Sequence, residues 1–342
     1  MLRLLADHAG LPPSAGGAFV SGGSAGNLSA LAVARETAKG RPTAVAAPDA
    51  GGGRRGRVAV GSEAHSSVDN ALRLLELDAL VVRTPDHRLT GEALRRAIEA
   101  DGDPGSVAAV VATAGTTNAG IVDDLGGIAE VARQHGWWFH VDGAYGAAAL
   151  LSPALQHLFA GMEHADSFVV DPHKWLFTPF DCCALVYRDP ALARGVHTQN
   201  ASYLEVIHGD QPASEWNPTD YAYHLTRRAR GLPLWFSLAV HGTAAYAEAI
   251  DRAVTLARLT AEEIHRRPQL ELIREPDLSI VLFRRVGWGP KDYRRWADDL
   301  HRDDVAFLPP TTWEGEVVGR FAFLHPHTTM DLVCEILDRT TD

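Results

Sequence analysis

Lys174 stands in the run Asp171-Pro172-His173-Lys174-Trp175, directly after the apolar stretch Ser167-Phe168-Val169-Val170. A lysine among Pro172, Trp175, Leu176 and Phe177 is unusual on burial grounds. An amine in apolar surroundings is suited to attack a carbonyl carbon as a Schiff-base nucleophile. Three further positions could serve the same chemistry. Asp142 closes the stretch Trp138-Phe139-His140-Val141 and precedes the small residues Gly143, Ala144 and Gly146, which let a flat ring approach the backbone. Gly22-Gly23-Ser24-Ala25-Gly26-Asn27 opens a helical stretch, and a Gly/Ser turn at a helix N-terminus offers N–H groups and a hydroxyl to a phosphate dianion. His65, in Glu63-Ala64-His65-Ser66-Ser67, carries a flat imidazole that can stack on a ring. Taken singly, the Gly/Ser turn also reads as a helix cap, Asp142 as a turn former and His65 as a cap or surface residue. Together they meet the needs of one cofactor, pyridoxal 5′-phosphate (PLP): a lysine for its aldehyde, a carboxylate for its pyridine nitrogen, a phosphate cradle and a stacking face.

These residues need a scaffold that gathers them, and in open α/β sheets ligands collect at the carboxyl ends of the strands. Helical and strand patterns alternate along most of the chain, which predicts an α/β fold with a mainly parallel sheet. Helices are expected at Ala25–Lys39, His65–Leu75, Thr90–Ala100 (Thr90 as cap) and Asp124–His135. Strands are expected at Thr43–Ala47, Arg57–Val60, Ala79–Val82, Val107–Ala112, Trp137–Val141, Ser167–Val170 and Ala184–Tyr187. Periodicity is lost between Gly195 and Pro218, a length that suits a functional loop. A helical stretch from Pro233 to Arg267, with a break near Asp251, leads to strands at Leu270–Arg274, Leu278–Phe283, Val305–Leu308 and Arg320–Leu324. Helices at Lys291–Arg302 and Thr328–Asp338 interleave with them. This reads as a PLP-binding large domain over residues 1–245 and a small C-terminal α/β domain over 246–342.

Composition narrows the function class. The 342 residues carry a formal net charge of -11 and are 46% hydrophobic and 22% charged, a globular balance with no basic footprint for nucleic acid. The three cysteines, two of them adjacent, form no disulfide framework or Cys-x-x-Cys site, which points to a reducing, cytoplasmic setting. No signal peptide and no membrane-spanning run is evident. Gly51-Gly52-Gly53-Arg54-Arg55-Gly56 has dinucleotide-loop glycine spacing, but a strand rather than a helix follows it. His325-Pro326-His327 lacks the neighbours of a metal site, so no metal is expected.

Five ordered segments carry a specific resemblance: Gly22–Asn27, Ala64–Ser67, Thr113–Thr117, His140–Tyr145 and Asp166–Trp175. From roughly Leu2 to the C-terminus the chain resembles the group II PLP-dependent amino-acid decarboxylases, which include aromatic-L-amino-acid, histidine, glutamate and 2,4-diaminobutyrate decarboxylases. The resemblance implies a fold-type-I (aspartate aminotransferase-like) architecture and a homodimer with active sites at the interface. By position, His65 would stack on the ring, Asp142 would pair with the pyridinium nitrogen, Ala144 would pack under the ring and Lys174 would form the internal aldimine. Gly23, Ser24, Asp171 and His173 would serve the phosphate, and Thr116 or Thr117 would lie near cofactor and substrate carboxylate. Tyr203, in Asn200-Ala201-Ser202-Tyr203-Leu204, matches the tyrosine of a catalytic loop that protonates the substrate carbon once carbon dioxide has left. Arg227 falls where the family has an arginine near the neighbouring subunit's phosphate.

The function implied is decarboxylation of an L-amino acid to its amine and carbon dioxide. An aminotransferase would need a carboxylate-binding arginine, for which Arg320 could be proposed, and an aldehyde synthase is disfavoured by tyrosine at position 203. Family members carry a substantial segment ahead of the phosphate loop, which here begins at Gly22, so an incomplete, split or non-catalytic subunit is a third reading. Trp137, Trp138 and Phe180 could line an aromatic-substrate pocket or belong to the core.

Overall fold

The computed structural model describes residues 1–39, 55–199 and 216–341. They form two compact units, Met1–Ala114 with Val122–Gly242, and Gly115–Ile121 with Thr243–Asp342. The strand expected at Thr43–Ala47 lies outside the described residues.

The first unit is built on seven strands: β1 (Gly16–Val20), β2 (Arg57–Gly61), β3 (Asp78–Val82), β4 (Val107–Thr113), β5 (Trp138–Asp142), β6 (Ser167–Val170) and β7 (Cys183–Tyr187). Their order in the sheet is β1-β7-β6-β5-β4-β2-β3. The strands from β3 through β6 are mutually parallel, while β7 is antiparallel to both β6 and β1. Parallel pairing needs a long crossover, and the β6–β7 link holds only the helical turn Pro172–Trp175, so β7 runs back. Every residue of β4, β5, β6 and β7 is buried, as expected of strands covered on both faces. This explains the near-continuous apolar runs in their sequences.

One helix sets the site. Gly23–Lys39 packs on β4, β5, β6 and β7 with its N-terminus at the Gly22 turn. A Cβ on Gly26 would lie 2.5 Å from Val169 Cγ1, so glycine is what lets this helix rest on β6. Helix starts follow the expected capping chemistry: the Thr90 side chain accepts from Ala93 N, and that of Asp124 from Gly127 N.

The second unit carries a four-stranded antiparallel sheet in the order β10-β11-β9-β8, from β8 (Leu270–Leu272), β9 (Ile280–Arg285), β10 (Thr311–Trp313) and β11 (Glu316–Ala322). Helices Pro290–Arg302 and Met330–Asp338 accompany it, and Ala119, Ile121, Leu282, Trp313 and Val318 form one of its core clusters.

Three expectations are corrected. Val305–Leu308 is not a strand: the N–H groups of Val305 and Ala306 donate to Leu300 O and close the preceding helix. The C-terminal hairpin instead turns at Glu314-Gly315, both with positive φ (49° and 84°). Such a two-residue turn fixes hairpin register, which puts β10 at 311 and starts β11 at 316 rather than 320. The break in the long helix Leu232–His265 falls at Gly242 (φ 73°, ψ 166°), not near Asp251, because only glycine readily takes that backbone conformation. The strand at Gly16–Val20 and the helix at Leu2–His8 carry no clear periodicity in the sequence.

Gly26→Val tests the close approach of helix to sheet. Overpacking should lower the unfolding free energy by about 1–3 kcal/mol, read as a shift of the urea midpoint.

Candidate active site

Asp142 ends β5, in register with Thr113 of β4 and Val169 of β6, and is 5% exposed. Its Oδ1 accepts from Ala144 N (3.1 Å) and its Oδ2 from Asn27 Nδ2 (2.8 Å). Asp171 follows β6 and stands just ahead of the turn Pro172–Trp175, which brings Lys174 Nζ back to 3.0 Å from Asp171 Oδ2. The surroundings of Lys174 are therefore less apolar than its neighbours in sequence suggest, because residues three apart on a helical turn face each other. The Lys174 side chain keeps 38% exposure, so its amine is reachable. His173 Nδ1 accepts from Cys182 N (2.9 Å), and its Nε2 lies 3.5 Å from Asp171 Oδ2.

The glycine turn meets this cluster from the other side. A Cβ on Gly23 would sit 3.0 Å from Ala144 Cβ and 3.3 Å from Asp171 Oδ2, and one on Gly22 would sit 3.7 Å from His173 Cε1. Ser24 is exposed in the first turn of the helix, where N–H groups have no intrahelical partner. Gly23, Asp142, Ala144, Asp171, His173 and Lys174 thus share one end of the sheet. His65 caps the helix Ser66–Leu74 with an exposed ring, and its Nδ1 accepts from Ser67 N (3.1 Å) and lies 2.8 Å from Ser67 Oγ. Asn27 Nδ2 reaches the same Ser67 Oγ (3.1 Å), which ties His65 to Asp142.

The contacts of the remaining candidates are of other kinds. Thr116 and Thr117 belong to the second unit, where Thr116 Oγ1 accepts from Ile121 N (3.1 Å) and Thr117 O accepts from Arg320 Nη1 (3.2 Å). Arg227 donates to Phe19 O (3.5 Å) and to Pro218 O beside β1. Tyr203 lies outside the described residues.

Sequence reasoning missed Asn27, Ser67, His140 and Ser167. Asn27, His140 and Ser167 are fully buried, with 0% exposure. His140 Nε2 lies 2.9 Å from Asn27 Oδ1, and its Nδ1 lies 2.8 Å from Ser167 Oγ, which also accepts from Trp138 Nε1 (2.8 Å). The available signal was a polar residue inside an apolar element, Asn27 among alanines and His140 within Trp138–Asp142, since buried polar groups must find partners. Trp137 and Trp138 are core residues at 5% and 3% exposure, whereas Phe180 is 79% exposed.

The arrangement fits PLP. Gly23 keeps the backbone bare where a side chain would collide, Lys174 offers an accessible amine, and Asp142 is a buried carboxylate held by two donors. His65 leaves a ring face open, and Asp171 Oδ1 is an acceptor without a hydrogen-bond partner among the described residues.

Comparison with known proteins agrees with the geometry. Residues 1–286 match the pyridoxal-dependent decarboxylase conserved domain. The chain is similar to an aromatic-L-amino-acid decarboxylase of Bacillus atrophaeus (31% identity, 96% of this chain and 68% of the relative). It is also similar to an L-2,4-diaminobutyrate decarboxylase of Rhizobium meliloti (33%, 99% and 68%). Among solved structures, that of Oryza sativa TDC with PLP and tryptamine superposes with a TM-score of 0.87 at 29% identity, covering 99% of this chain and 74% of that one. The chain belongs to the pyridoxal-dependent decarboxylase family, with the fold-type-I architecture. It is a PLP-dependent carboxy-lyase acting on an amino acid.

Burial lowers the pKa of His140 from 6.5 to about 4, although Asp142 pulls it upward. The unfolded chain therefore takes up this proton first as pH falls, and the folded state loses stability between about pH 6.5 and about pH 4. From about pH 6.5 to about pH 5 the loss should be about 2 kcal/mol. Burial raises Asp123 to about 7, which acts with the opposite sign in the same window. Asp123 is common to wild type and His140→Gln, so the stability of wild type relative to the variant, read by urea unfolding, should fall by about 2 kcal/mol from about pH 6.5 to about pH 5.

Proposed function

We propose that this chain converts an L-amino acid to its amine and carbon dioxide as a cytoplasmic homodimer, using the cluster around Lys174. The observation that carries the reading is that Asp142 stands at the carboxyl end of β5 and Lys174 follows that of the adjacent parallel strand β6, with the Gly22–Gly23 turn against their neighbours Ala144, Asp171 and His173. That is where ligands bind in sheets of this kind.

Lys174 would hold the cofactor by its aldehyde carbon between turnovers and release it to the substrate amine. Asp142 would face the pyridine nitrogen, His65 would cover a ring face, and Gly23, Ser24, His173 and Asp171 would surround the phosphate. Bound PLP supplies an electron sink for the pair left on Cα when the carboxylate departs as carbon dioxide. Asp142 provides the charge that keeps such a sink effective, and its hydrogen bonds from Asn27 Nδ2 and Ala144 N hold it in place. A proton must then reach Cα, and Tyr203 is the residue proposed to deliver it.

The dimer draws support from the helix beginning at Leu232. Leu232, Trp235, Phe236 and Val240 are each more than half exposed, and a segment apolar on so much of its circumference is one that a partner covers. The cytoplasmic setting is supported by three free cysteines. Among the described residues, no helix is long and apolar enough to cross a membrane.

Carbon dioxide release from a panel including aromatic L-amino acids and L-2,4-diaminobutyrate, with PLP present, tests the reading. Lys174→Ala should lower the rate about 10³-fold or more, while a rate equal to wild type refutes the assignment. In Tyr203→Phe the product should shift from amine toward aldehyde with oxygen uptake, and an unchanged amine yield removes Tyr203 from the proton-donor role. Size-exclusion of the purified chain should give a dimer.

A further inference from the structure

The buried hydrogen bonds around Asp142 have a direction that the chemistry of their ends dictates. An indole N–H can only donate and a carboxylate can only accept. Trp138 Nε1 therefore donates to Ser167 Oγ, and Asn27 must turn Nδ2, not Oδ1, toward Asp142 Oδ2 at 2.8 Å. Asn27 Oδ1 then faces His140 Nε2 at 2.9 Å and can only accept, so Nε2 carries the proton. Burial disfavours a second proton on this ring, which leaves Nδ1 to accept the Ser167 hydroxyl at 2.8 Å. Every donor from Trp138 onward points toward Asp142.

A branch leaves the same amide. Asn27 Nδ2 also lies 3.1 Å from Ser67 Oγ, so Ser67 accepts there and its own hydroxyl is free to donate to His65 Nδ1 at 2.8 Å. Ser67 N donates to that nitrogen as well. Nδ1 of His65 is thus an acceptor, and the neutral ring presents N–H at Nε2 on its exposed edge.

We propose that Asn27 is the positioning residue of the site, a single amide that orients the Asp142 carboxylate directly and the His65 ring through Ser67. This rests on the PLP reading for its consequence, namely that one side chain keeps the groups for ring nitrogen and ring face in register. His140, Ser167 and Trp138 lock the amide against flipping, because a flipped Asn27 would set Oδ1 against Asp142 and Nδ2 against the His140 N–H.

Two measurements test it. In cofactor-free protein at about pH 8, where free imidazole is neutral, nitrogen-15 correlation spectra assigned in the wild type should show both rings with the proton on Nε2. An Nδ1–H form at His140 or His65 overturns the proposal, whether or not the protein binds cofactor. The second is PLP titration of wild type, Asn27→Ala, Asp142→Ala and the double variant. Asn27→Ala should weaken PLP binding about 10-fold, the scale typical of groups that orient a first-contact residue, and should cost less once Asp142 is alanine, when only the branch through Ser67 to His65 is left to lose. An affinity unchanged by Asn27→Ala, or an equal loss in both backgrounds, overturns it. A wild type that binds no PLP refutes the proposed function instead, and the imidazole spectra still decide the orientation of Asn27.

Discussion

A carboxylate placed at the end of a central strand, with 5% of its surface exposed, is expensive to bury unless its oxygens are occupied by donors. The contact between Asn27 Nδ2 and Asp142 Oδ2 is the interaction on which the rest of this site depends. It joins the helix Gly23–Lys39 to β5, and it can form only because that helix lies close on the sheet. The closeness traces to Gly26, where any side chain would strike Val169. A backbone feature of the helix thereby sets the position of a charge one strand away.

The same helix does two things at once. Its N-terminal turn brings bare backbone against Ala144 and Asp171, where an anion can approach free N–H groups. One turn further on, Asn27 points inward and holds the carboxylate. The proposed phosphate cradle and the proposed ring partner are therefore both set by one helix, so their spacing would not depend on loop conformation. Lys174 comes from the opposite direction, on a helical turn after β6, and its pairing with Asp171 holds the amine near the sheet end.

The polar chain behind Asp142 bears on electrostatics more than on stability. Its members are buried and satisfied in a single arrangement, which resists the rotations that would misplace a carboxylate oxygen. His140 takes part as a neutral ring, because burial pushes its protonation to about pH 4. A neutral histidine behind Asp142 adds no competing cation to the carboxylate.

Much of this architecture is legible in the amino-acid sequence. The alternation of apolar runs with helical stretches indicates the α/β class, because strands covered on both faces must be continuously apolar. Lys174, Asp142 and the Gly22–Asn27 turn stand out because their residue types suit one cofactor, and each sits at the end of an element. Local rules also identify Thr90 and Asp124 as helix starts. What the linear chain does not reveal is pairing across distance. Asn27 and Asp142 are 115 residues apart, and nothing local says that an asparagine in an alanine-rich helix serves that carboxylate rather than a cap or the solvent. The reversal of β7, the hairpin register at Glu314-Gly315 and the break at Gly242 are likewise decided by backbone geometry at single residues. Sequence determined which groups are present and on which kind of element; the packing of one helix on β4 to β7 decided which of them touch.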